Sequence, residues 1–209
     1  MARPLLLNPP SYIPLSLTEV NHMSFRTKLA LVALGIAVSG PLQAQSSPHR
    51  EGFFIGFGFG GGGGSITGQG NDVNGGTGWL TLGGTVSPKL RLAADFQGFS
   101  PEKNDDLEIG TSSFAALWYP SANGNLFLKG GVGAAEVSIH GPGPDGSGVG
   151  FGTVLGLGYD VRVGRKISIT PQFTVFGGRT GDIEDDDGNV LRNDVEFGIA
   201  TLSVGVVFH

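Results

Sequence analysis

Hydrophobic and polar residues alternate with a period of two along the segment 196–209. The apolar row comprises Ala200, Leu202, Val204, Val206 and Phe208. The second row holds the small or polar residues Thr201, Ser203 and Gly205, with Ile199 and Val207 at its ends. A period of two places the two rows on opposite faces of a β-strand. An unpaired strand edge is a template for aggregation, and closure of the sheet into a barrel leaves no such edge.

Seven further segments have similar patterns and predict seven more strands. They span residues 51–60, 78–86, 89–99, 107–119, 125–138, 149–162 and 167–176, and the segment 107–119 has the least regular alternation. The predicted connections are alternately long and short, with long ones at 60–76 and 177–194. Short turns that alternate with long loops are typical of transmembrane barrels, as are strands of about 10 residues. Because Pro171 has no amide hydrogen for the ladder, we expect a β-bulge there.

The polar rows carry few charges for a surface in contact with water. Their charged residues are Arg91, Asp95, Lys129, Asp160 and Arg162, and most other positions are Gly, Thr, Ser or Gln. A soluble lipocalin-like barrel that binds a small apolar ligand inside would need many more charges outside. Small polar residues suit a narrow lumen, whereas Leu, Val, Ile and Phe suit lipid. The sequence therefore predicts an all-β, eight-stranded, antiparallel up-and-down transmembrane β-barrel, with the soluble binder as the alternative.

These five charged residues form the candidate polar network of the lumen. Side chains fill the interior of an eight-stranded barrel, so a general porin is not expected. Arg91 and Asp95 are four residues apart on one strand, ~13 Å at the usual rise, which is too far for a direct ion pair. Each is expected to pair across strands, with Lys129, Asp160 and Arg162 as candidates that the sequence does not assign. A satisfied structural network is favoured over a proton or ion path.

The first fifty residues predict an exported protein. Residues 23–44 have a short basic start, an apolar run and small residues near Ala44, which indicate a secretory signal peptide cleaved between Ala44 and Gln45. Residues 1–22 fit no part of such a signal, so Met23 is predicted to be the true start. Residues 45–50 then form a short periplasmic lead-in, and residues 51–209 form the barrel.

The end of the chain resembles the assembly signal of bacterial outer-membrane barrels. Ser203, Gly205 and Phe208 match its polar residue, glycine and aromatic residue, although the family usually ends on Phe where this chain has His209. With the signal peptide and the eight segments, this pattern is similar to the small barrels of the OmpA transmembrane-domain and OmpX type. The resemblance implies an outer membrane containing lipopolysaccharide, both termini in the periplasm, and insertion by the outer-membrane assembly machinery. It also implies structural, adhesive or host-interaction roles.

Composition excludes several other classes of function. The chain has no Cys, which excludes disulfides, thiolate metal ligands and a Cys nucleophile. The formal charge of −5 and the lack of a basic stripe make a nucleic-acid partner unexpected. The glycine run 60–64 lacks the Lys-Ser/Thr of a phosphate-binding loop.

Two clusters are candidates for binding or catalysis. The acidic segment 182–187 could bind a divalent cation that bridges to lipopolysaccharide, but the spacing of an EF-hand fails and a solvated loop is favoured. Glu136, Ser138 and His140 share one face and suggest the Ser/His/acid set of a lipid A-modifying enzyme. Neighbours on that face are ~6.6 Å apart, too far for direct hydrogen bonds. The sequence therefore predicts no enzyme and no cofactor; the ligand of the outer loops stays open.

Overall fold

The structure is a computed structural model, and it describes residues 50–67, 70–102, 107–139, 146–185, 190–192 and 194–209. These residues form eleven β-strands: β1 (Phe53–Ile66), β2 (Gly70–Ser87), β3 (Leu90–Pro101), β4 (Leu107–Trp118), β5 (Leu126–Ile139), β6 (Gly146–Tyr159), β7 (Val161–Arg162), β8 (Ile167–Thr180), β9 (Ile183–Asp185), β10 (Val190–Arg192) and β11 (Glu196–Phe208). This part of the chain contains no helix long and apolar enough to cross a membrane.

Eight long antiparallel strands close into a barrel. Each of β1 to β5 pairs with the next strand, β6 pairs with β8, and β8 pairs with β11. The barrel closes where β1 pairs with β11, from Ile55 opposite Phe208 to Ile66 opposite Phe197. The last strand therefore has a neighbour on both edges, and the predicted fold class is confirmed. We call the end with Arg50 and His209 the lower end, and the end with β9 and β10 the upper end.

The apolar rows face outward and the polar rows face inward. In β11, Leu202 is 47% exposed while Thr201 is 2% exposed. The same alternation in the other long strands leaves a belt of large apolar side chains outside, among them Phe57, Phe114, Val132, Leu155, Phe173 and Val175. The distribution of apolar and polar side chains is thus the opposite of that in a soluble barrel. The alternative prediction, a soluble barrel with its apolar rows inside around a ligand, is wrong for this structure.

The prediction of a loop at 60–76 is wrong. Strand β1 continues through the glycine run to Ile66, and β2 begins at Gly70. A Cβ atom on Gly60 would lie 2.2 Å from the carbonyl oxygen of Leu202, and one on Gly62 would lie 2.3 Å from that of Ala200. Glycine is present there because the backbones of β1 and β11 approach closely, not because the chain turns.

The predicted alternation of long and short connections is also wrong in detail. The connection between β1 and β2 lies only between Ile66 and Gly70, whereas that between β4 and β5 spans Trp118 to Leu126. Strand β8 extends to Thr180, and the region predicted as the longest loop includes β9 and β10. The strands are longer than predicted at the upper end, so they occupy positions assigned to loops.

Pro171 causes a gap in the hydrogen-bond ladder but no bulge. Strand β8 pairs with β6 up to Gln172 opposite Gly158 and with β7 from Ile169 opposite Val161, and the register is the same on both sides. On the other side Pro171 lies opposite Val204 without a register shift. The hydroxyl of Thr170 donates a hydrogen bond of 2.8 Å to the carboxylate of Asp160 across the gap. A side chain thus replaces the missing backbone contact, which makes a bulge unnecessary.

The interior has apolar clusters toward both ends with polar side chains between them. Along β3 the inward residues run from Ala93 in the lower cluster through Asp95 and Gln97 to Phe99 in the upper cluster. The lower cluster also contains Phe54, Trp79, Leu117, Tyr119, Phe127 and Val207. The upper cluster is larger and includes Leu107, Ile109, Val137, Val154, Phe176, Phe197 and Ile199. Side chains therefore fill the barrel from one end to the other.

We expect Gly60→Ala to destabilise the barrel much more than Gly61→Ala. The new methyl group at position 60 would overlap backbone atoms of β11, whereas at position 61 the nearest atom, the carbonyl oxygen of Gly75, is 3.5 Å away. Urea unfolding in lipid vesicles should give a loss of about 1–3 kcal/mol in the free energy of unfolding for Gly60→Ala. The change for Gly61→Ala should stay within about 1 kcal/mol. Equal losses in the two variants would contradict the close approach.

Candidate functional site

A buried ion pair lies at the centre of the lumen. Asp95 on β3 and Lys129 on β5 are 0% and 4% exposed, and the Lys129 Nζ atom is 3.1 Å from Asp95 Oδ1. Asp95 also accepts hydrogen bonds of 2.5 Å from the Thr81 hydroxyl and 2.8 Å from the Gln97 amide. A buried charge is tolerated when it is paired and hydrogen-bonded in this way.

A second group of charged side chains closes the lower end. Asp160 accepts a hydrogen bond of 2.9 Å from the Tyr119 hydroxyl, and Arg91 Nη1 lies 3.9 Å from the same carboxylate oxygen. Arg91 Nη1 also donates to the Tyr119 oxygen at 3.2 Å. Burial raises the pKa of Tyr119, and the neighbouring Asp160 carboxylate raises it further. Tyr119 therefore stays protonated and keeps donating to Asp160.

His209 joins this group from the end of β11. Its Nδ1 atom is 2.9 Å from Arg91 Nη2, and its Nε2 atom is 2.9 Å from the Ser168 hydroxyl. Because a guanidinium has only donors, Nδ1 must be the acceptor and Nε2 must carry the hydrogen. Burial and the positive charge of Arg91 lower the pKa of His209 to about 4. The imidazole is therefore neutral at physiological pH.

Arg50 lies across the lower mouth. Its guanidinium stacks on the Tyr119 ring at 3.6 Å and donates to the carbonyl oxygens of Pro88 at 3.2 Å and Ala122 at 2.9 Å, and also to that of Gly124. Pro88 belongs to the turn between β2 and β3, and the other two belong to the connection between β4 and β5. One side chain thus ties two turns together over the lumen.

The predicted lumen residues separate into two groups. Asp95 pairs with Lys129, and Arg91 lies near Asp160, so the pairs that the sequence left open are assigned. Arg162 lies on β7 opposite Ser168, and its positive charge also lowers the pKa of His209. It therefore belongs to the lower end rather than to the central pair.

Little space remains inside the lumen. The cavity between the lower cluster and the central pair has a volume of about 20 Å³, which is room for about one water molecule. Above the central pair, the apolar upper cluster fills the cross-section with buried side chains such as Ile109, Val154 and Phe176. The described residues thus line no open path through the barrel.

Sequence reasoning missed three members of the lower group. Tyr119 ends the segment with the least regular alternation, so the pattern does not assign it to a face. Continuing the alternation of the buried residues Ser113 and Leu117 indicates that it faces inward, as the structure shows. His209 appeared only as a departure from the assembly signal. Arg50 carries no signal in the sequence, because its partners are backbone carbonyls that come together only after folding.

The assembly-signal residues occupy three different environments. Ser203 is buried in the lumen, and Gly205 packs so closely that a Cβ atom there would lie 2.2 Å from the Trp79 ring. Phe208 lies outside and stacks on Phe57 with ring centroids 6.3 Å apart. The pattern therefore also serves the packing of the closing strand.

Other predicted sites lie partly or wholly outside the described residues. Ala44 and Gln45 lie outside them, as do His140 and residues 186–187 at the end of the acidic segment 182–187. Glu136 and Ser138 are described, and both lie on the outer wall near the upper end of β5. Within the described ranges, no group of three His, Asp or Glu side chains could hold a metal ion.

An open groove crosses the outer wall beside Glu136 and Ser138. It has a volume of about 650 Å³ and extends over β1 to β5. Its lining includes a row of glycines, Gly78, Gly98 and Gly110, which we call its floor, and also Phe59, Glu108 and Glu136. We call this feature the outer-wall groove.

Comparisons with solved structures identify the class of fold. Neisserial surface protein A has a TM-score of 0.52 and 15% identity, and the match covers 75% of this chain and 95% of that protein. The attachment invasion locus protein Ail of Yersinia pestis gives a TM-score of 0.47 and 16% identity, with coverages of 76% and 99%. OprG of Pseudomonas aeruginosa gives a TM-score of 0.39 and 14% identity, and the match covers 77% of this chain and 98% of that protein.

The fold is that of the small eight-stranded outer-membrane β-barrels. At 15% identity the likeness to the neisserial protein defines the fold alone, and at that level it confirms the predicted resemblance. No protein-family model and no curated protein sequence matches the chain.

We expect Lys129→Met to lower the free energy of unfolding by about 3–5 kcal/mol, because it leaves the Asp95 carboxylate buried without its cation. The double variant Asp95→Asn/Lys129→Met should recover much of this loss, since it removes both charges. Lys89→Met, at an exposed lysine, is the matched control and should have little effect. Urea unfolding in vesicles measures all three. A double variant less stable than Lys129→Met would contradict the pairing.

We expect the folded barrel to lose stability as the pH falls from 6.5 towards 4. The reason is that the pKa of His209 is about 4 in the folded protein but has its ordinary value of 6.5 in the unfolded chain. The unfolded chain takes up the proton first, so the loss should be complete below the folded pKa. His209→Gln, which cannot titrate, should remove this component. Unfolding midpoints between pH 4 and 7 measure it, and identical pH profiles for the two proteins would contradict the assignment.

Proposed function

We propose that this chain is an integral outer-membrane protein with a structural, adhesive or surface-interaction role carried by its upper-end connections, and not a general porin. The observation that supports this most directly is the filled lumen. The central ion pair and the apolar upper cluster occupy the space that a channel would need. A barrel of this kind can act through its outside and its upper end, but not through its interior.

The apolar belt supports the membrane location. Large side chains such as Phe57, Phe114 and Leu155 are between 45% and 65% exposed, which suits lipid and disfavours water. In this proposal the signal peptide at 23–44, cleaved between Ala44 and Gln45, exports the chain. The outer-membrane assembly machinery then recognises Ser203, Gly205 and Phe208. Both termini lie in the periplasm, and the upper end faces outward among lipopolysaccharide.

The proposal includes no catalytic role and no cofactor. Glu136 and Ser138 lie on one strand of the outer wall, and the Cα partner of Ser138 on the next strand is Glu108. Glu136 and Ser138 are two residues apart on that strand, ~6.6 Å, which is too far for the direct hydrogen bond that an activated nucleophile needs. Unchanged lipid A mass spectra after overexpression are the expected result.

The decisive experiment is fractionation combined with heat modifiability. The wild-type protein should appear in the outer-membrane fraction and migrate differently on gels before and after boiling. Phe208→Ala should reduce the assembled form, because it removes the aromatic residue of the assembly signal and its contact with Phe57. Phe53→Ala, at an exposed aromatic residue on another strand, is the control and should assemble normally.

Two results would contradict this proposal. One is an unshifted band in the soluble periplasm, which would place the chain outside the membrane. The other is steady single-channel conductance of the refolded wild-type protein in planar bilayers, which would show an open path through the lumen.

A further inference from the structure

The floor of the outer-wall groove is a row of residues without side chains on three adjacent strands. Gly78 of β2 lies opposite Gly98 of β3, which lies opposite Gly110 of β4. These positions alternate with the buried residues and therefore face outward. A Cβ atom on Gly98 would have only the Gly78 carbonyl oxygen near it, at 3.8 Å. A side chain could fit at Gly78 or Gly98, so the packing of the wall does not require glycine at these two positions.

The groove crosses the border between the apolar and polar parts of the outer wall. Just below the glycine row, Leu80 and Phe96 face each other and are 37% and 41% exposed. Phe59, 74% exposed, lines the β1 side of the groove. The polar lining is above the row and comprises Ser100, Glu108 and Ser138. A molecule in this groove would therefore have an apolar part toward the middle of the belt and a polar part toward the upper end.

The charged residues that line the groove are both carboxylates. Glu136 lies opposite Gly110, and Glu108 lies opposite Ser138, so the two glutamates are diagonal neighbours on adjacent strands. Diagonal neighbours are roughly 7–8 Å apart and come within reach of one another through long side chains. Two like charges at this spacing favour a cation between them.

We propose that the outer-wall groove binds one lipid with a primary-amine head group. Its acyl chain lies on the glycine floor beside Phe59, and its ammonium group lies between Glu108 and Glu136. The hydroxyls of Ser100 and Ser138 can donate to the phosphate of such a lipid. The volume of about 650 Å³ is within the range of small-molecule sites, roughly 300–1,000 Å³. This inference rests on the proposed membrane location, because only a barrel in a membrane meets lipid at this wall. The proposed orientation places the groove toward the outward leaflet, so the lipid there is one that carries both an amine and a phosphate, and phosphatidylethanolamine is the probe for that chemistry.

The test compares three spin-labelled lipids in phosphatidylcholine vesicles that contain the refolded protein. The probes are phosphatidylethanolamine, phosphatidylcholine and phosphatidylglycerol, with and without calcium chelation. For the wild-type protein we expect phosphatidylethanolamine to associate about two- to fivefold more strongly than phosphatidylcholine, the size that one or two exposed ion pairs supply. Phosphatidylcholine cannot donate hydrogen bonds from its quaternary nitrogen, and phosphatidylglycerol has no cation.

Two variants and two matched controls locate the effect. Gly98→Leu fills the floor and Glu136→Gln removes one carboxylate, and each should abolish the preference. Gly84→Leu faces the same outer wall near the lower end of β2, where a Cβ atom has no neighbour within 4 Å. It should keep the preference, as should Asp182→Asn, at an exposed carboxylate outside the groove. If Gly98→Leu does not fold, Glu108→Gln/Glu136→Gln decides the question.

Three results would overturn the inference. One is equal association of all three lipids, and another is a preference that survives both groove variants. The third is a preference for phosphatidylglycerol only in the presence of calcium, which would assign the carboxylates to a cation that bridges a phosphate. A protein that inserts with a heat-dependent gel shift but shows no selectivity overturns this inference alone. A protein that does not insert into vesicles overturns the proposed function as well.

Discussion

Closure of the backbone hydrogen-bond ladder is the constraint on which this structure depends. In the membrane location that we propose, an unpaired amide or carbonyl group would have no water with which to form a hydrogen bond, so every strand needs two neighbours. The pairing of β1 with β11 along almost their full lengths meets this demand and brings the two ends of the barrel sequence together. It also explains why the glycine run is part of a strand, since Gly60 and Gly62 let two backbones approach where side chains would separate them.

The narrow lumen follows from eight strands and determines what the interior can contain. Charged side chains enter only as partners, as Asp95 and Lys129 do, because a lone charge in this space would be costly. Elsewhere the space is occupied by the two apolar clusters and, between them, by buried uncharged polar side chains such as Gln97, Thr174 and Ser203. In the function that we propose, chemical recognition therefore takes place at the outer wall and the upper end. Both apolar and polar contacts are available at the apolar-to-polar border of the wall.

The sequence predicts the faces well because alternation is a local property. It places Asp95 inside and Leu202 outside, and the structure agrees. The sequence-based prediction fails where one residue type is compatible with two different local structures. A glycine run can mark a loop or a close approach of backbones, and Pro171 can cause a bulge or only a gap that the Thr170 hydroxyl bridges. The contacts of Arg50, and the groove formed where Gly78, Gly98 and Gly110 align, depend on register between strands, which no single segment reveals.

Arg50 has a consequence for the order in which the barrel forms. Its carbonyl partners, Pro88, Ala122 and Gly124, lie 38 to 74 residues further along the chain. Contacts of such long sequence separation cost more chain entropy than the neighbouring hairpins do. Arg50 can make all three hydrogen bonds only when both turns are side by side. The complete set of its contacts therefore forms after the hairpins that it connects. The Arg50 side chain thus stabilises the barrel after the hairpins have formed and does not nucleate its folding.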